Sequence, residues 1–446
     1  MKNRPNIVYI TSHDTGRHFG CYGIKEVQTP NLDALAEDGV KFEKFFCTSP
    51  VCSASRGSMM TGLYPQTNGI MALVHPPCNS NLYPGVKHLS KILQDIGYHT
   101  ALFHHQHEVM PDKVGERLNF NEYLVKQDKG FSPSDIGRAF SDFISGYDKE
   151  KPFYAQIGFG LTHRDWKSDN TQPDTKKGVY VPPYLKDTEA AREDLAWLQG
   201  AVKHLDSSIG IILDAIKTSP LGKNTIVVFT VDHGIEVLRS KWTLYDAGIE
   251  VAFIMRWPEG GISGGKAAVQ LLSNVDMTPT LLELIGEKVP AYMQGKSFAD
   301  VCRNPKNGTG RGEIFAEYVQ AGNNPEARCI RTEKYKLIRN FSDHRLFKVP
   351  VDIKKPEHLV DRTSAKKDES FCPVVELYDI EKDPLETKNL AGNPKYAAVE
   401  KGLDKKLWRW LEEVKDPILK SPMQPHAYKS SIADYKKYKK GSKEGK

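Results

Sequence analysis

The first 300 residues alternate short apolar runs with longer stretches in which apolar residues recur every three or four positions. This alternation is typical of an α/β fold with a largely parallel sheet sandwiched by helices, because each buried strand is followed by a covering helix. Six apolar runs predict strands, at residues 6–12, 40–46, 99–103, 153–159, 225–230 and 251–255. The longest amphipathic stretch, 188–217, predicts a helix with one buried face.

The pattern changes after about residue 310. Residues 329–340 and 374–380 predict strands, and 396–414 predicts a helix, with lysine and proline common between them. We therefore expect an α/β domain over residues 1–310. A smaller α+β domain over 311–446 would contain an antiparallel sheet, one covering helix and a basic tail.

The net charge of +6 is concentrated at the end of the chain, where residues 429–446 carry +5. The rest is nearly neutral, so no nucleic-acid partner is expected. The lysine-rich tail itself is expected to be a solvated, frayed terminus.

The cysteines and the apolar runs indicate in which cellular compartment the protein is expected. Seven cysteines without a CxxC pair argue against a disulfide framework or a zinc ribbon. No apolar run approaches the ~18 residues of a membrane span, and the run at residues 7–10 is too short for a signal peptide. We expect a cytoplasmic protein with no membrane partner.

Polar residues suited to metal binding or acid–base chemistry follow four of the predicted strands. They are His13 and Asp14; His104, His105 and His107; His163; and Asp232 and His233. Ligands of open parallel sheets bind outside the carboxyl ends of the strands. These residues therefore predict one site at that edge.

Cys52 opens the segment Cys-Ser-Ala-Ser-Arg, which ends at Arg56 and leads into Thr-Gly-Leu-Tyr-Pro at 61–65. The pattern Cys-x-(Pro/Ala)-x-Arg followed by Thr-Gly-x-x-Pro resembles the signature of type I sulfatases, in the alkaline phosphatase-like superfamily. The resemblance implies that a maturation enzyme oxidises Cys52 to formylglycine, whose hydrated aldehyde is the nucleophile. One hydroxyl takes the sulfuryl group, and deprotonation of the other re-forms the aldehyde and releases sulfate.

Further segments are similar to the same family over nearly the whole chain, most of all to its heparan N-sulfatase (sulfamidase) branch. His13-Asp14 stands where the family has Asp-Asp, and Asp232-His233-Gly234 where it has Asp-Asn-Gly. His104-His105-Gln106-His107 stands for Gly-Lys-x-His. His163, Lys241 and the segments 376–379 and 383–390 match other conserved elements of the family.

The resemblance implies a role for each of these residues. One divalent metal would be bound by Asp14, Asp232, His233, the hydrated product of Cys52 and His13. Arg56 and His105 would orient the diol, and His107 would take its proton during release. Lys241 would hold a sulfate oxygen, and His163 would protonate the leaving oxygen or nitrogen.

Two departures from the family pattern leave alternatives open. Calcium is the usual family metal, but imidazole ligands favour manganese or zinc, and magnesium is a further option. The Asp-His pair at 232–233 is also similar to phosphonate monoester hydrolases. We expect a sulfatase acting on a sulfate ester or sulfamate of an N- or O-sulfated glucosamine or glycosaminoglycan fragment. The alternatives are a phosphonate monoester or phosphodiester hydrolase and a non-catalytic carbohydrate-binding relative. The sequence leaves the oligomeric state open.

Overall fold

A computed structural model describes residues 4–148, 150–167, 170–319, 326–342, 372–420 and 426–443. Its central sheet has eight strands, in the spatial order β5 (Glu122–Leu124), β4 (His99–His104), β6 (Phe153–Gly158), β1 (Asn6–Ser12), β7 (Thr225–Val231), β8 (Phe253–Arg256), β2 (Val40–Phe42) and β9 (Lys266–Ala268). The first five are parallel, and β8 is antiparallel to both of its neighbours. The predicted, largely parallel sheet is confirmed.

Helices cover both faces of this sheet. They are α1 (Pro30–Asp38), α2 (Cys52–Thr61), α3 (Pro65–Asn68), α4 (Leu89–Asp95), α5 (Val114–Arg117), α6 (Pro133–Ser145), α7 (Glu189–Thr218), α8 (Asp246–Ile249), α9 (Met277–Leu284) and α10 (Ala299–Arg303). Helices α1 and α6 pack on α7, the long helix predicted from its apolar spacing. On α2, which packs against α9, Met59 and Met60 contact Tyr9 of β1 and Tyr154 of β6. The sheet therefore lies between two helical layers.

A second, antiparallel sheet follows, with strands β11 (Glu313–Val319), β12 (Glu326–Thr332), β13 (Tyr335–Asn340) and β14 (Val375–Asp379). Alternate residues such as Ala327 and Cys329 join the main core. Ile330 and Leu337 instead pack in a second core with Trp408 of α11 (Ala397–Glu413). Because successive side chains of a strand point to opposite faces, this sheet packs against the main core on one face and against the second core on the other. The predicted antiparallel sheet with a covering helix is confirmed.

Three local predictions are wrong. Residues 40–46 divide into β2 and β3 (Phe45–Phe46), because β3 pairs with β10 (Leu272–Ser273) instead of the central sheet. Residues 329–340 form two strands joined by a tight turn, and no pattern in the sequence predicted β11.

The third wrong prediction is the frayed lysine-rich tail, since its described part is helix α12 (His426–Lys443). Ser431 is buried, and its hydroxyl donates to the Asn340 carbonyl at 3.2 Å. One turn later, Tyr435 packs on Trp408 with ring centroids 5.4 Å apart. The lysines hid this face, because Ser431 and Tyr435 dock on one side of the helix while Lys436 and Lys437 after them stay exposed.

All seven cysteines are unpaired. Within the described ranges, no helix combines the length and the apolar composition that crossing a bilayer requires.

Candidate active site

The polar residues that follow β1, β4, β6 and β7 meet at the carboxyl edge of the sheet. The backbone N–H of Asp14 donates to Asp232 Oδ1 at 2.9 Å, which ties the ends of β1 and β7 together. His13 Nε2 lies 2.6 Å from His105 Nε2, beyond the end of β4. His163, after β6, has its Nε2 3.8 Å from Asp14 Oδ2. Parallel strands bring residues from distant segments to one place.

Cys52 is the first residue of α2 and lies at the bottom of this site. Val51 before it has extended backbone, so the free N–H groups of the first helical turn surround the cysteine. Its Sγ lies 3.1 Å from His233 Nε2 and 3.9 Å from Asp14 Oδ1. Burial raises the pKa of the Cys52 thiol well above its usual value. The unmodified thiol is therefore protonated and a poor nucleophile near neutral pH.

The atoms around Cys52 suit a cation. His233 Nδ1 faces the Gly234 carbonyl at 2.9 Å, and because a carbonyl only accepts, Nδ1 carries a proton. The other nitrogen, Nε2, lies 3.1 Å from Asp14 Oδ1. At this distance a proton or a metal ion lies between the two atoms, so Nε2 can exchange its proton for a metal ion. Ligand atoms of His13, Asp14, Cys52 and Asp232 all lie within 4.8 Å of one another.

Both carboxylates are ionised. Burial alone would raise the pKa of Asp14, but Lys241 and His233 hold it well below its usual value. The pKa of Asp232 is likewise lowered, because His13, His233 and Arg56 outweigh the effect of burial. A pair of buried anions with an imidazole beside them is the donor set of a divalent metal site.

Two buried cations balance these anions. The Arg56 Nε donates to Asp232 Oδ2 at 3.1 Å, and its Nη2 donates to the Ser12 carbonyl at 3.2 Å. Lys241 Nζ donates to Asp14 Oδ2 at 2.6 Å and to Glu236 Oε2 at 3.0 Å. Each cation thus lies beside one of the two carboxylates.

The imidazole of His163 lies beside Lys241 and is partly open to solvent, with 35% of its side chain accessible. Its Nδ1 donates to the Arg164 carbonyl at 2.6 Å, and its Nε2 lies 3.3 Å from Lys241 Nζ. The ring therefore places Nε2 beside Lys241, at the partly exposed side of the site.

His105 and His107 lie on the other side of His13, at ring-centroid distances of 4.5 and 5.6 Å. His107 Nε2 is 2.6 Å from His75 Nε2. Burial lowers the pKa of both His105 and His107 well below the usual value. Both rings are consequently neutral near pH 7.

The structure thus brings together the residues that the sequence predicted for the site, except His104, whose Nδ1 lies 3.3 Å from the Val125 carbonyl, and it adds three more. Glu236 holds Lys241 and follows Asp232 by four residues, a spacing that could have suggested it. Ser55, inside the cysteine motif, donates from Oγ to the Asp232 carbonyl at 2.5 Å. His75 comes from a loop between α3 and α4, and its sequence neighbours carry no signal for it.

Two family models and several known proteins match the chain. The family described as Sulfatase matches residues 5–287, and the family described as N-sulphoglucosamine sulphohydrolase, C-terminal, matches 236–370. An ulvan-active sulfatase of Formosa agariphila is 30% identical, over 92% of this chain and 81% of its own. Human N-sulphoglucosamine sulphohydrolase is 25% identical, over 94% and 92%.

Two solved structures share the fold. One, a protein in complex with its substrate D-glucosamine-2-N,6-O-disulfate, has a TM-score of 0.72 and 21% identity, over 93% of this chain and 98% of the other. The phosphonate monoester hydrolase of Agrobacterium radiobacter has a TM-score of 0.70 and 20% identity, over 92% and 96%.

The sandwiched parallel sheet with its edge site is an alkaline phosphatase-like fold. Within that class the family match covers more than half of the sequence. The chain belongs to the sulfatase family, whose members hydrolyse sulfuric esters and generally use a metal and a formylglycine.

Proposed function

We propose that this sulfatase removes sulfate from an N- or O-sulfated glucosamine, using a formylglycine made from Cys52. The observation that carries the proposal is the position of Cys52 at the start of α2, 3.1 Å from His233 and facing the ionised Asp14. A residue so placed is close to metal ligands, to helical amides that favour anions and to Lys241.

The substrate class is supported by charge and by similarity. Arg56 and Lys241 are fixed cations, whereas the neutral His105 replaces the lysine expected from the family pattern. Fewer fixed charges favour a group with one negative charge, such as a sulfate ester or sulfamate, over a phosphate monoester. The similarity to human N-sulphoglucosamine sulphohydrolase and to the complex with a glucosamine disulfate points to glucosamine.

His13, Asp14, Asp232 and His233 would hold the divalent ion, together with the matured residue 52. The ion, when bound, neutralises charge on the sulfuryl oxygens. Two imidazoles beside three oxygen donors favour manganese or zinc over calcium. One hydroxyl of the formylglycine diol would attack sulfur as its proton passes to the neighbouring Asp14 carboxylate, and deprotonation of the second hydroxyl would re-form the aldehyde and expel sulfate.

The remaining residues position the reactants and move protons. Lys241 Nζ, with Asp14 and Glu236 fixing it, would donate to a sulfate oxygen. His163 would protonate the leaving oxygen or nitrogen, so the bond from sulfur to the sugar breaks as the bond to the diol oxygen forms. His107 would then take the proton of the second hydroxyl. Arg56, held by Asp232 and Ser12, would orient the diol.

A phosphonate monoester hydrolase is the second candidate, favoured by the Asp232-His233 pair. Two experiments test the proposal, the first its nucleophile and the second its substrate class. Coexpression with a maturation enzyme should lower the mass of the peptide that contains Cys52 by about 18 units. Fully active enzyme with an unmodified Cys52 contradicts the mechanism.

The second experiment compares kcat/KM of the matured enzyme on an N-sulfated glucosamine, an O-sulfated sugar, an aryl sulfate and a phosphonate monoester. We expect a sulfated glucosamine to be the best substrate. A tenfold preference for the phosphonate, about 1.4 kcal/mol, would reverse the assignment. His163→Ala should lose most activity on alkyl-sulfated sugars and less on an aryl sulfate, because a phenol leaves without protonation.

A further inference from the structure

Three imidazoles form a cluster of their own beside the carboxylates. His13 follows β1, and His105 and His107 follow β4, which is separated from β1 in the sheet by β6. One nitrogen of each ring lies within 4.8 Å of the other two, and His13 Nε2 is 2.6 Å from His105 Nε2. His13 and His107 are buried, and His105 is half-buried.

The cluster has unused binding capacity. His107 Nδ1 is buried and finds no hydrogen-bond partner among the described residues, although its Nε2 contacts His75. A buried nitrogen without a partner costs about 1–3 kcal/mol, so an unobserved ligand would explain it.

His13 faces both groups of ligands. Its Nδ1 lies 3.3 Å from Asp14 Oδ1 and 3.1 Å from Asp232 Oδ2, on the carboxylate side. Its Nε2 faces His105 on the other side. An imidazole ring has one lone pair for each side once both protons are lost, so it can bridge two ions.

We propose that His13, His105 and His107 bind a second divalent transition metal, with His13 shared between the two ions. Zinc fits best, since three histidines with an open fourth position are a recurring zinc site, whereas calcium takes oxygen ligands. Bonds of about 2.0–2.1 Å in a tetrahedron place nitrogens about 3.4 Å apart. In the structure His13 Nε2 and His105 Nε2 are 2.6 Å apart, and no pair of the three ligand nitrogens is more than 4.8 Å apart. Each nitrogen–nitrogen distance therefore lies within about 1.5 Å of the spacing that zinc requires.

Occupation of this histidine site would fix His105 and His107 on the ion. Because the proposed function gives both residues a role at the diol, excess zinc should then slow turnover, and this consequence rests on that function. Zinc binding itself does not rest on it, so the decisive experiment measures bound metal and not activity.

The experiment uses the full chain with Cys52→Ser, which removes the thiol as a competing zinc ligand. The parent, His105→Ala and His107→Ala are each equilibrated with zinc, freed of excess metal by gel filtration and analysed for zinc per chain. We expect both histidine variants to bind one equivalent less than the parent. The control His99→Ala, whose ring contacts Glu122 at 2.6 Å elsewhere on β4, should bind as much as the parent.

Cobalt gives a second readout, because tetrahedral cobalt absorbs strongly in the visible range and octahedral cobalt does not. The band should be present in the parent and in His99→Ala and absent from His107→Ala. If His105→Ala fails to fold by circular dichroism, the milder His107→Asn takes its place. A loss of less than half an equivalent in every folded variant of His105 and His107 overturns the proposal, whether or not the enzyme cleaves sulfated sugars.

Discussion

Removing the buried charge of Lys241 should destabilise the metal-free protein. The lysine side chain is 2% exposed, and those of Asp14 and Glu236 are fully buried. Lys241→Met keeps the length of the apolar stem but leaves both carboxylates without this cation. Breaking a buried ion pair from one side costs about 3–5 kcal/mol, because the remaining charge is buried and uncompensated.

The loss should grow with pH. In the wild type, burial by itself lowers the pKa of Lys241, but Asp14, Cys52 and Glu236 raise it well above its usual value, so its contribution is lost only in strong alkali. The lowered pKa of Asp14 likewise means that its contribution is present above its unfolded pKa, near 3.9, and is lost in acid. In Lys241→Met, burial is no longer opposed by the lysine, which raises the pKa of Asp14 relative to wild type, so the variant should lose stability as the pH rises from about 5 while the wild type stays nearly constant.

The assay is urea unfolding in the presence of a chelator, at three pH values between about pH 5 and pH 9. Lys203→Met is the matched control, because its ion pair with Asp174 at 3.3 Å belongs to a lysine that is 46% exposed and should contribute about 0–1 kcal/mol. The reasoning is refuted if Lys241→Met costs no more than Lys203→Met. Added metal should reduce the loss, since the ion gives Asp14 a new cationic partner.

Three further predictions use other buried groups. Burial raises the pKa of Glu317 to about 8, so the wild-type protein should lose about 1.4 kcal/mol of stability per pH unit as the pH rises from about 4.5 to 8. Glu317→Gln should not show this loss, and a stability difference between the two proteins that is independent of pH contradicts the prediction. Arg328→Met breaks an ion pair with Asp416 at 2.6 Å in which both side chains are buried, and urea unfolding should show a loss of about 3–5 kcal/mol. The control Arg192→Met, which breaks a half-exposed pair with Asp187, should lose less than about 1 kcal/mol. Asp232→Ala should abolish activity and remove one equivalent of divalent metal without unfolding the domain; equal metal content by elemental analysis would reject the ligand assignment.

The α/β architecture was predictable because buried strands and helices place apolar residues at characteristic spacings along the chain. Strands β1, β4, β6 and β7 are short apolar runs, and their ends are marked by the abrupt appearance of histidine and aspartate. The rule that parallel strands present their carboxyl ends at one edge then places these residues together. The cysteine motif is local in sequence and could be read without any fold.

Where pairing is decided by partners far along the chain, the sequence was less informative. Residues 40–46 look like one strand, yet β3 pairs with β10, more than 200 residues later. The lysine-rich end looks like a solvated tail, yet Ser431 and Tyr435 find a docking surface on β13 and α11. No local pattern reports the surface that a segment will meet.

By itself, the sequence determined the class of fold, the edge at which the site lies and nearly all of its chemical groups, because periodic burial and strand ends are local properties. Only the tertiary structure decided which of these groups touch. It placed Glu236 on Lys241, His75 on His107, and His13 between the carboxylates and two further imidazoles. The charge state and metal preference of the site depend on distances between side chains, and those distances exist only once the strands are assembled.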